Sequence, residues 1–224
     1  MSEERPGPTV TTEKVSVRRG SALGPKFARL IRLRFGPRAP LTDELFTAIS
    51  AENSDLRMER TAHGDLEIMA PAGAEGSNRN FTLTGQFYRW SENEGRGLGV
   101  FFDSSGGFVL PNGAIRSPDG SWVAKARWAA LTPEQQKAYL PLCPDFVAEL
   151  RSESDGLKKL RKKMVEYLAQ GARLGWLIDP LTGTVEVYRP GRAVETFSRP
   201  ASLSGEAVLP GFVLDLNGIL GEQP

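Results

Sequence analysis

The chain has 224 residues, 40% hydrophobic and 25% charged, a soluble composition with length enough for one domain with a sizeable core. Its 28 Lys and Arg offset 27 Asp and Glu, so overall charge gives no argument for a nucleic-acid partner and any basic surface must be local. A single Cys (Cys143) and a single His (His63) exclude an intrachain disulfide and argue against zinc, leaving a hard ion on oxygen ligands, Mg2+ first, as the metal to consider.

Residues 1–40 carry nine Lys or Arg against three Glu among Pro, Gly, Ser and Thr, the composition of a basic, partly flexible arm. Within it "FARLIRLRF" is expected to form an edge strand. The globular domain is expected over 41–220. Thr42 is placed to cap a helix over "TDELFTAISAEN", whose first turn carries acids suited to a helix N-terminus. "LRMERTAHGDLEIMAP" reads as a hairpin turning at His63-Gly64, with Glu59 in its first strand. From Ser77 to Glu94 the spacing of Leu83, Phe87 and Trp90 predicts a second helix capped by Ser77, in which Asn78 and Arg79 could offer donors to a phosphate. Strands follow in "LGVFFDSS", "GFVLPNGAIRSPDGSWVAK" and "PDFVAELRS", interrupted by a short helix that starts at Thr132-Pro133. Trp122 and Trp176 are expected in the core. A strong helix, "LKKLRKKMVEYLAQ", capped by Asp155 and stopped at Gly171, leads into the buried strand "LGWLID". The order of elements describes an α/β or α+β fold, a central mixed β-sheet flanked by helices with an extra N-terminal β-hairpin. No apolar run reaches the roughly 20 residues needed to span a bilayer, and the first residues lack the apolar segment of a secretory signal, so a cytoplasmic location is expected.

Two carboxylates stand out. Glu149 interrupts the apolar strand "DFVAEL", where an unpaired carboxylate is costly, so it should pair with a cation or hold a metal. Strand alternation puts Asp145, Val147, Glu149 and Arg151 on one face, with Arg151 about 7 Å from Glu149 and Asp145 about 13 Å away, too far to share an ion. The partner of Glu149 must come from another strand. Asp119, in "SPDGSWV", is the natural candidate, although Pro-Asp-Gly is also ordinary turn chemistry. On a helical wheel Leu157, Leu160, Met164 and Leu168 form the buried stripe of the last helix. Lys163 and Tyr167 fall near its margin, at about 240° and 280°, and Lys162 points away at about 140°. Lys158, Lys159 and Lys162 read as a solvated or phosphate-facing surface, and Arg161, on the apolar side, as a snorkelling cation.

In this arrangement the chain resembles the PD-(D/E)XK nuclease superfamily, and within it the Uma-type restriction endonuclease family. The stretches that carry the resemblance are "DLRMERTAHGDLEIMAP", "GSNRN", "FDSSGGFVLPNGAIRSPDGSWV", "CPDFVAELRSESD" and "KMVEYLAQGARLGWLIDP", in family order. The resemblance implies a restriction-endonuclease-like core in which Asp119, Glu149 and the carbonyl of Leu150 hold Mg2+, or Mn2+ in its place, for hydrolysis of DNA. Glu59 would add a third carboxylate through a water on that ion. The superfamily lysine position is occupied by Arg151, which cannot act as a base but can clamp a phosphate. In the resembled family that lysine has moved to the following helix, at the position of Lys163. Homodimerisation would suit cleavage of both strands. The alternative is a catalytically silent nuclease-fold protein that binds nucleic acid or another partner.

Overall fold

The computed structural model describes residues 30–69 and 72–221; the first 29 residues of the basic arm lie outside them. In chain order the elements are β1 (Ile31–Leu33), α1 (Asp43–Glu52), β2 (Arg57–Arg60), β3 (Leu66–Met69), α2 (Ala74–Glu92), β4 (Gly99–Asp103), β5 (Phe108–Val109), β6 (Ile115–Arg116) and β7 (Gly120–Ala124). There follow α3 (Lys125–Ala129), α4 (Pro133–Gln136), β8 (Phe146–Leu150), α5 (Leu157–Ala169), β9 (Leu174–Asp179), β10 (Thr184–Tyr188), β11 (Glu195–Ser198), β12 (Ser202–Ser204) and β13 (Val213–Asp215). Among the described residues no helix is long and apolar enough to cross a membrane.

Two sheets carry the architecture. A five-stranded antiparallel sheet has the order β1-β3-β2-β6-β5, and a six-stranded sheet the order β11-β10-β9-β8-β7-β4. In the second, β8 and β9 run parallel while the other neighbours are antiparallel. A parallel pair needs a long crossover, and α5 is that crossover. The expected mixed sheet flanked by helices is therefore present, and the hairpin β2–β3 forms the centre of the smaller sheet. The edge strand expected in "FARLIRLRF" appears as β1, paired to β3.

Strand alternation sorts the core into layers. Phe146, Ala148 and Leu150 of β8 pack with Leu83, Phe87 and Trp90 of α2 and with Leu209, Phe212 and Leu214 near the C-terminus. Trp122 and Trp176 are buried in the same cluster. Val147 faces the other way, toward Met164 and Tyr167 of α5. At Gly175 of β9 the Met164 side chain of α5 packs against the strand, and an added Cβ would lie 2.6 Å from its methyl carbon. The smaller sheet and α1 enclose a third cluster around Phe46, Met58, Leu66 and Ile115.

Several local expectations hold. Thr42 Oγ1 accepts the Leu45 N–H at 3.2 Å and caps α1. The hairpin turns through Gly64, whose φ of +82° suits glycine. Gly171, at φ +115°, ends α5. Thr132 forms a full capping box with Gln135 at α4.

Others are corrected. The second helix begins at Ala74 with Gly73 as its cap, and the Ser77 N–H already bonds the Gly73 carbonyl inside the helix. Asn78 and Arg79 therefore do not sit among the free N–H groups of the first turn, and Arg79 pairs with Glu75. Gly156, not Asp155, precedes α5, because the Asp155 carboxylate is used by the Ser152 N–H and hydroxyl. Arg161 is held by an ion pair to Glu186 on β10, its Nε donating at 2.8 Å, rather than snorkelling unpaired. Lys158 and Lys162 are exposed as expected, whereas Lys159 reaches Glu67 at 2.9 Å. The five-residue α3, too short for a periodic signal, was not expected.

Candidate active site

Asp119 stands where the chain leaves one sheet for the other. Arg116 ends β6 in the smaller sheet, Ser117-Pro118-Asp119 crosses, and Gly120 opens β7 in the larger one. Gly120 lies opposite Ala148 in the antiparallel register of β7 and β8, so one step further residue 119 faces residue 149. The Asp119 Oδ2 accepts the Leu150 N–H at 2.8 Å, which fastens the carboxylate to the end of β8. Asp119 and Glu149 are 8% and 4% exposed, so both are removed from bulk water. The two-strand pairing expected for these acids is thus present, and the Leu150 backbone is beside them.

Lys163 reaches the same point from α5. Its Nζ lies 2.8 Å from Glu149 Oε1 and 2.8 Å from Glu59 Oε1, with the stem buried against the helix. One turn along, the Tyr167 hydroxyl donates to Glu149 Oε1 at 2.9 Å. Lys163 thus comes to Glu149 from a helix packed on the sheet face that carries it.

Glu59 is brought into the same cluster. Its Oε1 takes Lys163 and the Ser117 N–H at 3.0 Å, and its Oε2 takes Arg116 at 3.2 Å. Both oxygens accept from protein donors. Glu59 positions Lys163 and ties β2 to the crossing segment. Arg151 is not brought to the carboxylates. β8 ends at Leu150, and the Arg151 guanidinium pairs with Asp179 of the parallel neighbour β9 at 2.7 Å and with the Asp155 carbonyl at 3.2 Å.

The electrostatics separate the two glutamates. Burial pushes Glu149 up to about 7, reinforced by Asp119 and Glu59 and opposed by Lys163. Burial acts on Glu59 too, yet Lys163, Arg116 and the Ser117 N–H together hold it down at about 2. Lys163 is held above its ordinary range, because Glu149 and Glu59 outweigh the cost of its burial. At neutral pH it is a cation, not a base. Burial and the neighbouring Glu149 raise the Tyr167 phenol well above its usual value, so it donates its proton and keeps it.

A pH dependence follows for the metal-free protein. Glu149 has a folded pKa raised from 4.5 to about 7, so its contribution to stability is present below pH 4.5 and is lost as pH rises through 7. Glu59, depressed from 4.5 to about 2, contributes above pH 4.5 and ceases to do so as pH falls toward 2. Urea unfolding in chelator between pH 5 and 8 should show wild type losing stability relative to Glu149→Gln; parallel curves would contradict the assignment.

Three contributors escaped sequence reasoning: Arg57, Arg116 and Tyr167. Arg57, on β2, donates to Asp119 Oδ1 at 3.3 Å and to the Ser117 carbonyl. Arg116 joins Glu59, Glu67 and Glu166. Tyr167 had a signal, its place one turn beyond Lys163 at the margin of the apolar stripe. The arginines had none, because their partners come from distant segments.

Asp145, the other Pro-Asp acid, is a structural residue. It accepts the Ala124 N–H at 2.9 Å and pairs with Arg127 at 3.1 Å, locking the end of β7 to the start of β8. Asp145→Ala should cost roughly 2 kcal/mol in urea unfolding while the folded fraction keeps its activity. Loss of activity without loss of stability would overturn that division. Cys143 is buried, and burial raises its thiol to about 12, so it is inert packing.

Among the described residues no three His, Cys, Asp or Glu side chains converge as a metal cluster. The donors brought together are the carboxylates of Asp119 and Glu149. Lys163 and Tyr167 both use Oε1 of Glu149, which leaves Oε2 for a ligand, and Asp119 Oδ1 has only the 3.3 Å contact to Arg57. Hard oxygen donors with coordination places left over for water and phosphate suit Mg2+ or Mn2+.

Comparison with known proteins bears on the fold and the family. No curated protein matches the chain. A solved structure described as a putative nuclease belonging to DUF820, from Anabaena variabilis, matches with a TM-score of 0.62 and 21% identity, covering 73% of this chain and 89% of that one. The shared fold is the restriction-endonuclease-like mixed α/β arrangement. The family model Uma2, described as "Putative restriction endonuclease", matches residues 43–217, which include β2, the Asp119 crossing, β8 and α5. The chain belongs to the Uma2 family.

Proposed function

We propose that the protein is a divalent-metal-dependent endonuclease that hydrolyses phosphodiester bonds in DNA, with Mg2+ as the ion and Mn2+ as a substitute. The observation that carries the reading is the buried pair Asp119 and Glu149 at facing ends of β7 and β8, with the Lys163 ammonium 2.8 Å from Glu149. Asp119, Glu149 and the Leu150 carbonyl are the residues that would hold the ion. When bound, it supplies Lewis acidity toward a phosphoryl oxygen and makes water more acidic.

The remaining work belongs to the chain. Lys163, kept protonated by Glu59 and Glu149, presents a fixed positive charge where negative charge develops on the phosphorus oxygens. Glu59 and Tyr167 hold that constellation in place by direct hydrogen bonds. Arg151 is committed to Asp179 on the neighbouring strand and takes no part in this reading. Presence of the lysine on α5 weakens the case for a silent nuclease fold that rests on Arg151 alone.

The test is plasmid cleavage. Supercoiled DNA incubated with the protein should be converted to nicked or linear form with Mg2+ or Mn2+ and remain intact in chelator. The ratio of linear to nicked product reports whether two chains act as a two-fold pair. DNA binding without cleavage under any divalent ion would sink the enzyme reading in favour of a binding protein.

A further inference from the structure

Three cations, Lys163, Arg116 and Arg57, reach the site's carboxylates, and a fourth, Arg151, stands at the end of β8. Lys163 and Arg116 have side chains only 9% exposed; the first is shared by Glu59 and Glu149, the second by Glu59, Glu67 and Glu166. The Arg151 side chain is 19% exposed and committed to Asp179 at 2.7 Å and the Asp155 carbonyl. Arg57 differs. Its side chain is 35% exposed, its carboxylate contact is the 3.3 Å approach to Asp119, and its Nε has no hydrogen-bond partner among the described residues. Burial lowers and Asp119 raises the pKa of this guanidinium, with a net rise, so it stays charged.

An arginine whose Nε is buried without a partner, whose side chain is partly open and whose carboxylate contact is long, beside the carboxylate that faces Glu149, is suited to an anion that enters next to a metal. A guanidinium offers paired N–H groups that match two oxygens of a phosphate diester. We infer that Arg57, and not Arg151, is the phosphate-binding residue of the site, taking the non-bridging oxygens of a nucleic-acid backbone. The inference rests on the nuclease reading for its substrate class, but it concerns binding and is separable from cleavage. In the free protein Arg57 rests on Asp119 and the Ser117 carbonyl; on binding, the phosphate takes over the weaker of these contacts.

The experiment is fluorescence anisotropy of a short labelled DNA duplex with Ca2+ in place of Mg2+, over a series of salt concentrations, for wild type, Arg57→Ala, Arg57→Lys and Arg151→Ala. Arg57→Ala should bind about tenfold more weakly or worse, equally so for unrelated duplex sequences, with the slope of log affinity against log salt reduced by about one. Arg57→Lys should keep the slope and lose part of the affinity, and it decides the matter if the alanine variant does not fold. Arg151→Ala should bind as wild type does. Mn2+ titrated into DNA-free Arg57→Ala should bind no more weakly than to wild type, since Arg57 competes for Asp119. Wild-type affinity and slope in Arg57→Ala, failure of wild type to bind the duplex, or loss of Mn2+ binding in the variant would each overturn the inference. Arg57-dependent binding by a wild-type protein that leaves plasmid uncut would leave it standing and remove the nuclease reading alone.

Discussion

Lys163→Met is expected to destabilise the protein by roughly 3–5 kcal/mol, the cost of leaving buried carboxylates without their cation, and to abolish cleavage by the fraction that remains folded. The stability loss has a specific origin. Glu59 and Glu149 are 2% and 4% exposed and both point at the same ammonium. Glu149 can relieve part of the strain by taking a proton, since burial already raises its pKa to about 7. Glu59 has Arg116 and the Ser117 N–H as remaining partners. The double variant Glu59→Gln/Lys163→Met should therefore recover part of the lost stability, as coupled neighbours do, yet remain inactive. Urea unfolding and plasmid cleavage separate the two effects. A stable, active Lys163→Met would show that the ammonium is a surface charge that merely happens to lie inward.

Asp119→Asn and Glu149→Gln are expected to lower cleavage about 10³-fold or more each, comparable to or beyond removal of one transition-state hydrogen-bond donor. The two acids act as one ligand set, so the double variant should be no worse than either single one. Their effects on stability should have opposite signs. Glu149→Gln removes a buried carboxylate whose charged form is disfavoured at neutral pH, and should be neutral or stabilising. Asp119→Asn loses charge-assisted bonds from the Leu150 N–H and Arg57, and should destabilise by about 1–3 kcal/mol. Single-turnover cleavage with urea unfolding on the same preparations checks both statements. Additive losses in the double variant would mean that the acids serve separate purposes.

What could be read from the chain alone follows from the range of the interactions. Glu149 was legible as an acid in an apolar strand; Asp119, which alone reads as turn chemistry, and Lys163, at the margin of an apolar stripe, were singled out by the family resemblance. The mixed sheet was legible from alternating strands and two strong helices. Arg151 was singled out, but its partner was not legible: its N–H still bonds the Ile178 carbonyl just past β8, and Asp179, which holds the guanidinium, is its neighbour because β8 and β9 are parallel. That pairing is a property of the crossover through α5 and leaves no mark at position 151. Glu59 was placed at the site, but its oxygens go to Lys163, Arg116 and Ser117, all more than 50 positions away. The start of α2 was misread because "AGAEG" has no apolar stripe to extend the period of Leu83, Phe87 and Trp90 backwards. Asp145 was separated from Glu149 by distance along the strand, and its partners Ala124 and Arg127 account for it as a fastener of β7 to β8.

The central claim is that Asp119 and Glu149 together hold one divalent ion, and calorimetric titration of Mn2+ into the DNA-free protein tests it most directly. Wild type should bind one ion per chain at this site, and Asp119→Asn and Glu149→Gln should each lose it while Asp145→Asn keeps it. Mn2+ binding that persists unchanged in both Asp119→Asn and Glu149→Gln would contradict the account.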